Sequence, residues 1–262
     1  MFLIKNQSGI HGARISREEL RQPHGRTLCP RGLCCPGETG HHYTLQEQTL
    51  PPAHLLNNLL PVLIRQQLDF RIFVIDQAMP TLFNRCLLFN IGYLEALKID
   101  NYDCFIFHDV DMVVLNDNCL YRCSQHPRHL TAAISKWKYR LPYSSFFGGV
   151  VAFTRQQFRD INGCSNVYFG WGGEDDDLRS RVVKAGYKVI RYPKDIGRYD
   201  TIEHKPDDGN SPNKGRTKLL QSLRDRLDSQ GLNTTVYQVT AVLFKPLYTW
   251  IHVQVNMTQI LQ

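Results

Sequence analysis

Residues 170–177 read GWGGEDDD, so Glu174, Asp175, Asp176 and Asp177 follow directly behind two glycines and a tryptophan. Four consecutive carboxylates repel one another, and a purely structural segment gains little from that repulsion. At the start of a helix, the dipole and free N–H groups favour each negative charge by about 0.3–1 kcal/mol, so an over-stocked acidic cap is one reading. Trp171 favours another. A Trp ring can pack on the apolar face of a sugar while carboxylates accept hydrogen bonds from its hydroxyls, and one carboxylate can then take the proton of an attacking hydroxyl. A second acidic site lies in FHDVDMVV, where Asp109 and Asp111 stand at the expected carboxyl end of a strand. Alternation predicts both side chains on one strand face. There they form either a solvated strand-to-turn pair or a seat for a divalent cation, which can bridge the two phosphates of a nucleotide.

These motifs need a scaffold, and the flanking sequence supplies one. AHLLNNLLPVLIRQQ (53–67) carries apolar residues at helical spacing around Pro61. FRIFVID (70–76) and CFIFHDV (104–110) are buried-strand runs separated by the helical FNRCLLFNIGYLEALK (83–98). Strand, helix, strand in that order predicts a parallel sheet in an α/β fold. Further strands are expected at TAAIS (131–135), GVVAF (149–153), YKVIRY (187–192), VYQVTAVLF and WIHVQV. Thr154 can cap the helix RQQFRDI, and Gly186 stops the helix that the acidic cluster begins.

A chain of 262 residues suits one large domain. Residues 1–42, rich in Gly, Arg, Pro and Cys without a period, are expected to be irregular, leaving 43–262 as the working domain. Cys29, Cys34 and Cys35 fit no usual zinc spacing. The net charge of +7 suits an acidic partner, yet no Lys/Arg cluster interleaves with aromatics, so nucleic acid is not expected. No apolar run reaches the about 18 residues that span a bilayer, and the N-terminal apolar run is too short for a signal peptide. Against that, there are eight cysteines, with Cys104 and Cys123 bracketing one strand-and-loop region at a spacing a disulfide could close. Glycosylation triplets at Asn6, Asn233 and Asn256 point the same way, to the secretory pathway.

FNRCLLFNIGYLEAL, FHDVD, LPYSSFFGGV, INGC before FGWGGEDDD, and GRYDTIEH occur in an order and spacing that resembles the β-1,4-galactosyltransferases over about residues 55–255. The resemblance implies a GT-A, Rossmann-like nucleotide-sugar fold, a Golgi membrane enzyme with a lumenal domain, UDP-galactose as donor, Mn²⁺ as cofactor and inversion at the anomeric carbon. By position, Asp175 matches the catalytic base. Phe83, Arg85, Asp109, Val110, Lys136, Phe146, Gly149 and Glu174 match the donor side, and Tyr143, Trp171, Gly172, Asp176 and Arg216 the acceptor side. Asp111 matches a carboxylate ligand of Mn²⁺ and His204 an imidazole ligand, while Thr201 stands where the family often has Met. A hydroxyl replaces a thioether poorly, although a hard cation accepts oxygen, so the change bears on metal affinity more than on metal use.

The segment from about Ile202 to Gln221 is similar to the family's closing loop, and its composition also suits an ordinary surface loop. Phe146, FHDVD, FFGG and the small hydroxyl residue Thr201 at the Met position look more like the branch that includes lactosylceramide synthases. That makes a glycolipid, glucosylceramide, the first-choice acceptor and a glycoprotein glycan ending in N-acetylglucosamine the second, with UDP-N-acetylgalactosamine left open as donor. Family members carry a membrane anchor and, just before the helix at 53–67, a strand ending in a Pro-Phe-Arg-Asn-Arg-like motif that grips UDP. GHHYTLQEQTLPPAH stands there instead. The expectation is therefore an N-terminally incomplete fold, with an inactive sugar-binding pseudoenzyme or truncated isoform as the alternative. A phosphate-binding protein recruited by the positive charge would leave GWGGEDDD unexplained.

Overall fold

The computed structural model describes residues 52–203 and 209–262. The expectations for residues 1–42 and for His204 lie outside these described residues. Helix α1 (Pro52–Arg65) turns Leu55, Leu56, Leu59, Leu60, Val62 and Leu63 inward and leaves Pro61 on its exposed side. Strand β1 (Phe73–Gln77) follows, then α2 (Arg85–Ile99), whose first turn is capped by Asn84 accepting from the Leu87 N–H. Ten residues of α2 are buried, which marks a helix enclosed on more than one side.

Strands β2 (Cys104–His108), β3 (Met112–Val114), β4 (Arg128–His129) and β5 (Ala133–Ile134) come next. After them lie β6 (Val150–Thr154), α3 (Arg155–Asp160), α4 (Glu174–Lys184), β7 (Ile190–Arg191) and β8 (Arg198–Thr201). The chain continues through α5 (Arg216–Gln221), α6 (Leu223–Arg226), β9 (Gln238–Phe244), β10 (Thr249–Gln254) and α7 (Met257–Ile260). Thr154 caps α3 in a reciprocal arrangement with Gln157, and Gly186 adopts the left-handed conformation just past α4. Asn233 is exposed, and Asn256 caps α7 by accepting from the Gln259 N–H.

Three sheets form among the described residues, in the orders β1-β10-β9, β2-β6-β4-β7 and β3-β8-β5. The expected parallel pairing of β1 with β2 is not among them. β2 runs antiparallel to β6, from Cys104 opposite Thr154 to His108 opposite Val150, whereas β1 lies parallel to β10. Strands buried on both faces read as continuous apolar runs, and such a run carries no information about which neighbour it takes or in which direction. Strands β5 and β7 are also shorter than their apolar runs suggested, while β3, β4 and β8 had no sequence signal of their own.

Side-chain alternation ties the layers together. Phe73, Ile75, Phe105 and Phe107 pack in one cluster with α2, and Val74, Cys104 and Ile106 in another with α1. Two disulfides add crosslinks. Cys104 joins Cys123 with Cα atoms 5.6 Å apart, and Cys86 in the first turn of α2 joins Cys164 with Cα atoms 5.3 Å apart. The second pair, 78 residues apart in sequence, had no local spacing to betray it.

Candidate active site

Two consecutive glycines aim the acidic cluster. Gly172 (φ +108°) and Gly173 (φ +93°) both take left-handed conformations, and Gly173 is the cap residue of α4. A Cβ on Gly172 would sit 3.1 Å from the Arg216 guanidinium, and one on Gly173 3.1 Å from the Tyr168 ring. The helical rotation then sends the four acids to different destinations. Asp177 turns into the protein, where it accepts from Arg181 Nε at 2.6 Å with both side chains fully buried, and Arg226 stands 3.7 Å away. It is a structural ion pair. Asp176 accepts from the Tyr143 hydroxyl at 3.1 Å, while Glu174 faces Arg85 at 3.9 Å.

Asp175 is 8% exposed, and burial, with the charges of Glu174 and Asp176 beside it, pushes its carboxyl up to about 7. Burial also holds Glu174 above the ordinary carboxylate range, against the opposing pull of Arg85. A carboxyl that is half-ionised near neutrality is matched to proton abstraction. Space for Asp175 comes from Gly148, which the sequence reading passed over in favour of Gly149. A Cβ on Gly148 would lie 2.6 Å from the Phe146 ring and 3.1 Å from Asp175 Oδ2.

Behind this segment, Arg191 Nε donates to His129 Nδ1 at 2.8 Å, leaving His129 Nε2 to donate to the Gly148 carbonyl, also at 2.8 Å. Burial, with the nearby Arg191 charge, holds His129 down to about 3, so the ring stays neutral in that tautomer. The Thr131 hydroxyl donates to the same carbonyl at 2.8 Å. Gly149 (φ +82°) continues the turn, its absent Cβ leaving room for the Thr131 side chain at 2.7 Å. Phe146 packs edge-on to Tyr143 and Trp137. Lys136 lies over the Trp137 ring at 5.9 Å and is exposed.

The expected Asp109–Asp111 pair on one strand face does not form. β2 ends at His108, and both aspartates lie in the turn that leads to β3. Asp109 accepts from Arg85 Nε at 2.6 Å, and Arg85 Nη2 donates to the Gly149 carbonyl at 3.1 Å. Burial works against the charge on Arg85, but Asp109 and Glu174 outweigh it and hold the guanidinium above its ordinary value. Asp111 belongs to another neighbourhood: its carbonyl accepts from the Ile202 N–H at 2.8 Å, and next to it Met112 pairs with Thr201 across β3 and β8. Val110 between them is half-buried against the α1-side cluster.

Thr201 Oγ1, at the end of the strand whose next residue, Ile202, bonds the Asp111 carbonyl, is buried without a partner, an orphaned oxygen that a hard cation would satisfy. A carboxylate and a hydroxyl are both oxygen donors of the kind Mn²⁺ or Mg²⁺ accepts. Among the described residues no group of three or more His, Cys, Asp or Glu side chains is placed to hold a metal ion, and His204, the third expected ligand, lies outside them.

Trp171 stands 58% exposed at the mouth of the site, with the Arg216 guanidinium 5.6 Å over its ring. The strand-like stretch that carries it is held by backbone bonds. Trp171 N donates to Ser211 O and Asn213 N to Trp171 O, both at 2.9 Å, while Gly170 N donates to Phe83 O and Phe83 N to Gly209 O, both at 2.8 Å. The segment expected to be a loop through Gln221 therefore contains ordered pairing from 209 onward and the helix α5. Composition hid this because α5 has no buried residue to give it an apolar period.

Comparison with known proteins decides what this arrangement is part of. A family model described as the N-terminal region of glycosyl transferase group 7 matches residues 42–124, and one described as the N-terminal domain of galactosyltransferase matches residues 128–205. β-1,4-Galactosyltransferase 4 of Mus musculus is 50% identical over 195 residues, covering 74% of this chain and 57% of that protein. The chain belongs to the β-1,4-galactosyltransferase family. A β-N-acetyl-D-glucosaminide β-1,4-N-acetylglucosaminyl-transferase of Lymnaea stagnalis is 43% identical over 258 residues, covering 79% of this chain and 53% of that protein. The chain thus spans little more than half the length of these relatives. Among solved structures, the catalytic domain of Drosophila β-1,4-galactosyltransferase 7 in complex with xylobiose has a TM-score of 0.67 at 28% identity, over 80% of this chain and 91% of that one. A mutant of the same Drosophila enzyme, equally similar, was solved with manganese, UDP-Gal and xylobiose. The fold is that of the GT-A galactosyltransferases.

Proposed function

We propose that this protein transfers galactose from UDP-galactose to a β-linked glucose or N-acetylglucosamine acceptor in β-1,4 linkage, with inversion and with Asp175 as the base. The observation that carries the reading is Asp175 itself: buried, raised to about 7, and next in the chain to Asp176, which accepts from the Tyr143 hydroxyl. The acceptor ring rests on Trp171, and Asp176 and Glu174 are acceptors for sugar hydroxyls. Asp175 takes the proton of the acceptor's 4-hydroxyl as its oxygen attacks the anomeric carbon and UDP departs from the opposite face. Asp111, Thr201 and His204 are the residues that would hold Mn²⁺, which would supply positive charge to offset the leaving diphosphate. Arg85 fixes Asp109 and Glu174 on the donor side, where Phe83, Val110, Phe146, Gly149 and Lys136 complete the surface. Gly172 leaves room for Arg216 beside the acceptor.

Glucosylceramide is the first-choice acceptor, on the branch resemblance, and a glycoprotein glycan ending in N-acetylglucosamine is the second. The Golgi lumen is the proposed location, supported by the two disulfides, which persist in oxidising compartments. No helix among the described residues is long and apolar enough to cross a membrane. The test is transfer from UDP-galactose with Mn²⁺ to each acceptor, comparing the parent protein with Asp175→Asn. The amide keeps shape and hydrogen bonding, so donor binding should persist while turnover falls by about 10²–10⁴. Equal turnover in the two would overturn the assignment of the base. Absence of turnover in the parent, with UDP and acceptor still bound, would favour the pseudoenzyme.

A further inference from the structure

The two elements that carry the proposed metal ligands are joined by a buried chain of hydroxyls that none of the site assignments uses. The Tyr199 hydroxyl, in β8 two residues before Thr201, donates to the Tyr121 hydroxyl at 3.1 Å. Tyr121 in turn meets His108 Nε2 at 3.0 Å, and His108 Nδ1 meets the Asp109 carbonyl at 2.7 Å. A carbonyl only accepts, so His108 Nδ1 carries the proton and Nε2 accepts from Tyr121. Every donor then runs in one direction, from β8 to the turn that holds Asp109 and Asp111. Cys119 extends the chain at its far end, 3.4 Å from the Tyr199 hydroxyl. All four side chains, Cys119, Tyr121, Tyr199 and His108, are fully buried, and the His108 and Tyr121 rings stack at 5.9 Å.

We propose that Tyr199, Tyr121 and His108 are positioning residues that set the separation of the Asp111 turn from the end of β8, and through it the affinity for a divalent cation. The inference rests on the metal assignment above. β3 and β8 are already tied by the pairing of Met112 with Thr201 and by the Ile202 N–H to the Asp111 carbonyl. Backbone ladders fix register but leave twist and tilt free to vary. The buried hydroxyl chain supplies a second anchor at His108, three residues before Asp111, and at Tyr199, two residues before Thr201. Groups that orient ligands from behind typically change metal affinity 10- to 100-fold when removed.

The experiment measures Mn²⁺ binding directly, by electron paramagnetic resonance of free Mn²⁺ in the presence of UDP, on the full chain. Tyr121→Phe removes one hydroxyl and keeps the ring; it should weaken Mn²⁺ binding about 10-fold. Adding Tyr199→Phe should cost little more, because the chain is already broken. Tyr93→Phe is the control, a buried tyrosine whose hydroxyl donates to the Arg155 carbonyl away from the site. It should lower thermal stability yet leave Mn²⁺ affinity unchanged. Asp111→Ala separates the metal assignment from the positioning role. If Asp111→Ala binds Mn²⁺ as the parent does, the metal assignment falls and the positioning role with it. If Asp111→Ala abolishes binding but Tyr121→Phe binds like the parent, or no more weakly than Tyr93→Phe, the positioning role alone is wrong.

Discussion

Arg85 donates from Nε to Asp109 Oδ1 at 2.6 Å and thereby links the first turn of α2 to the turn after β2, with Glu174 of α4 only 3.9 Å from its Nη1. One guanidinium thus neutralises carboxylates from two separate elements. Its own Nη2 also closes on the Gly149 carbonyl, so the donor-side turn, the glycine turn and the acidic helix converge on a single side chain.

Arg85→Met should therefore do two things at once. Removing one partner of a mostly buried pair costs about 2–4 kcal/mol, below the figure for a fully buried pair because Asp109 is about a quarter exposed. Arg85 also favours the ionised form of Asp175, so its loss should raise that carboxyl further. Denaturant unfolding checks the first effect. The second appears as a shift of the transfer rate's pH midpoint to higher values, and an unchanged midpoint would show that Arg85 does not act on Asp175.

The pH response of Asp175 itself has a definite sign. Its folded value of about 7 exceeds the ordinary 3.8, so between those values the folded protein binds a proton that the unfolded chain releases. Stability contributed by the neutral carboxyl is present at low pH and is lost as pH rises from about 4 to 7. Activity moves the opposite way, since the base works only when ionised, and turnover should climb with a midpoint near 7. Asp175→Asn should be more stable than the parent at pH 8 and close to it at pH 4. Thermal melts across that range check this; a parent more stable than the amide variant at pH 8 contradicts the burial argument.

Replacing both Cys104 and Cys123 by Ser opens a crosslink between residues 19 apart. In the chain-entropy account this lowers stability by roughly 3 kcal/mol. Because Cys104 begins β2, which leads into the Asp109–Asp111 turn, the same variant should also weaken UDP binding in the presence of Mn²⁺. Calorimetry and denaturant titration on the double variant read the two effects, and an unchanged nucleotide affinity would separate the disulfide from the site.

Much of this protein is written locally. The helical spacing of α1 and α2, the Thr154 cap, the glycine stop after α4 and the crowding of GWGGEDDD all depend on neighbours within a few residues, where sterics, capping and charge repulsion act directly. Motif order carried the family as well. What the linear order could not show is which groups share a space. Asp177 looks like its three neighbours in sequence, yet helical rotation gives it to Arg181 and the core, while Asp175 meets Gly148 across the site. Asp109 and Asp111 look like a matched pair, yet the chain turns between them: the Asp109 carboxylate goes to Arg85, while the Asp111 carbonyl is tied to Ile202. Strand pairing was equally hidden: β1 and β2 carry the same apolar signature, and their different partners are set by contacts from residues far along the chain. Distance in sequence is the common reason. Burial, pairing and the raised carboxyl of Asp175 arise from atoms that meet only after the chain has folded, so only the tertiary structure could decide them.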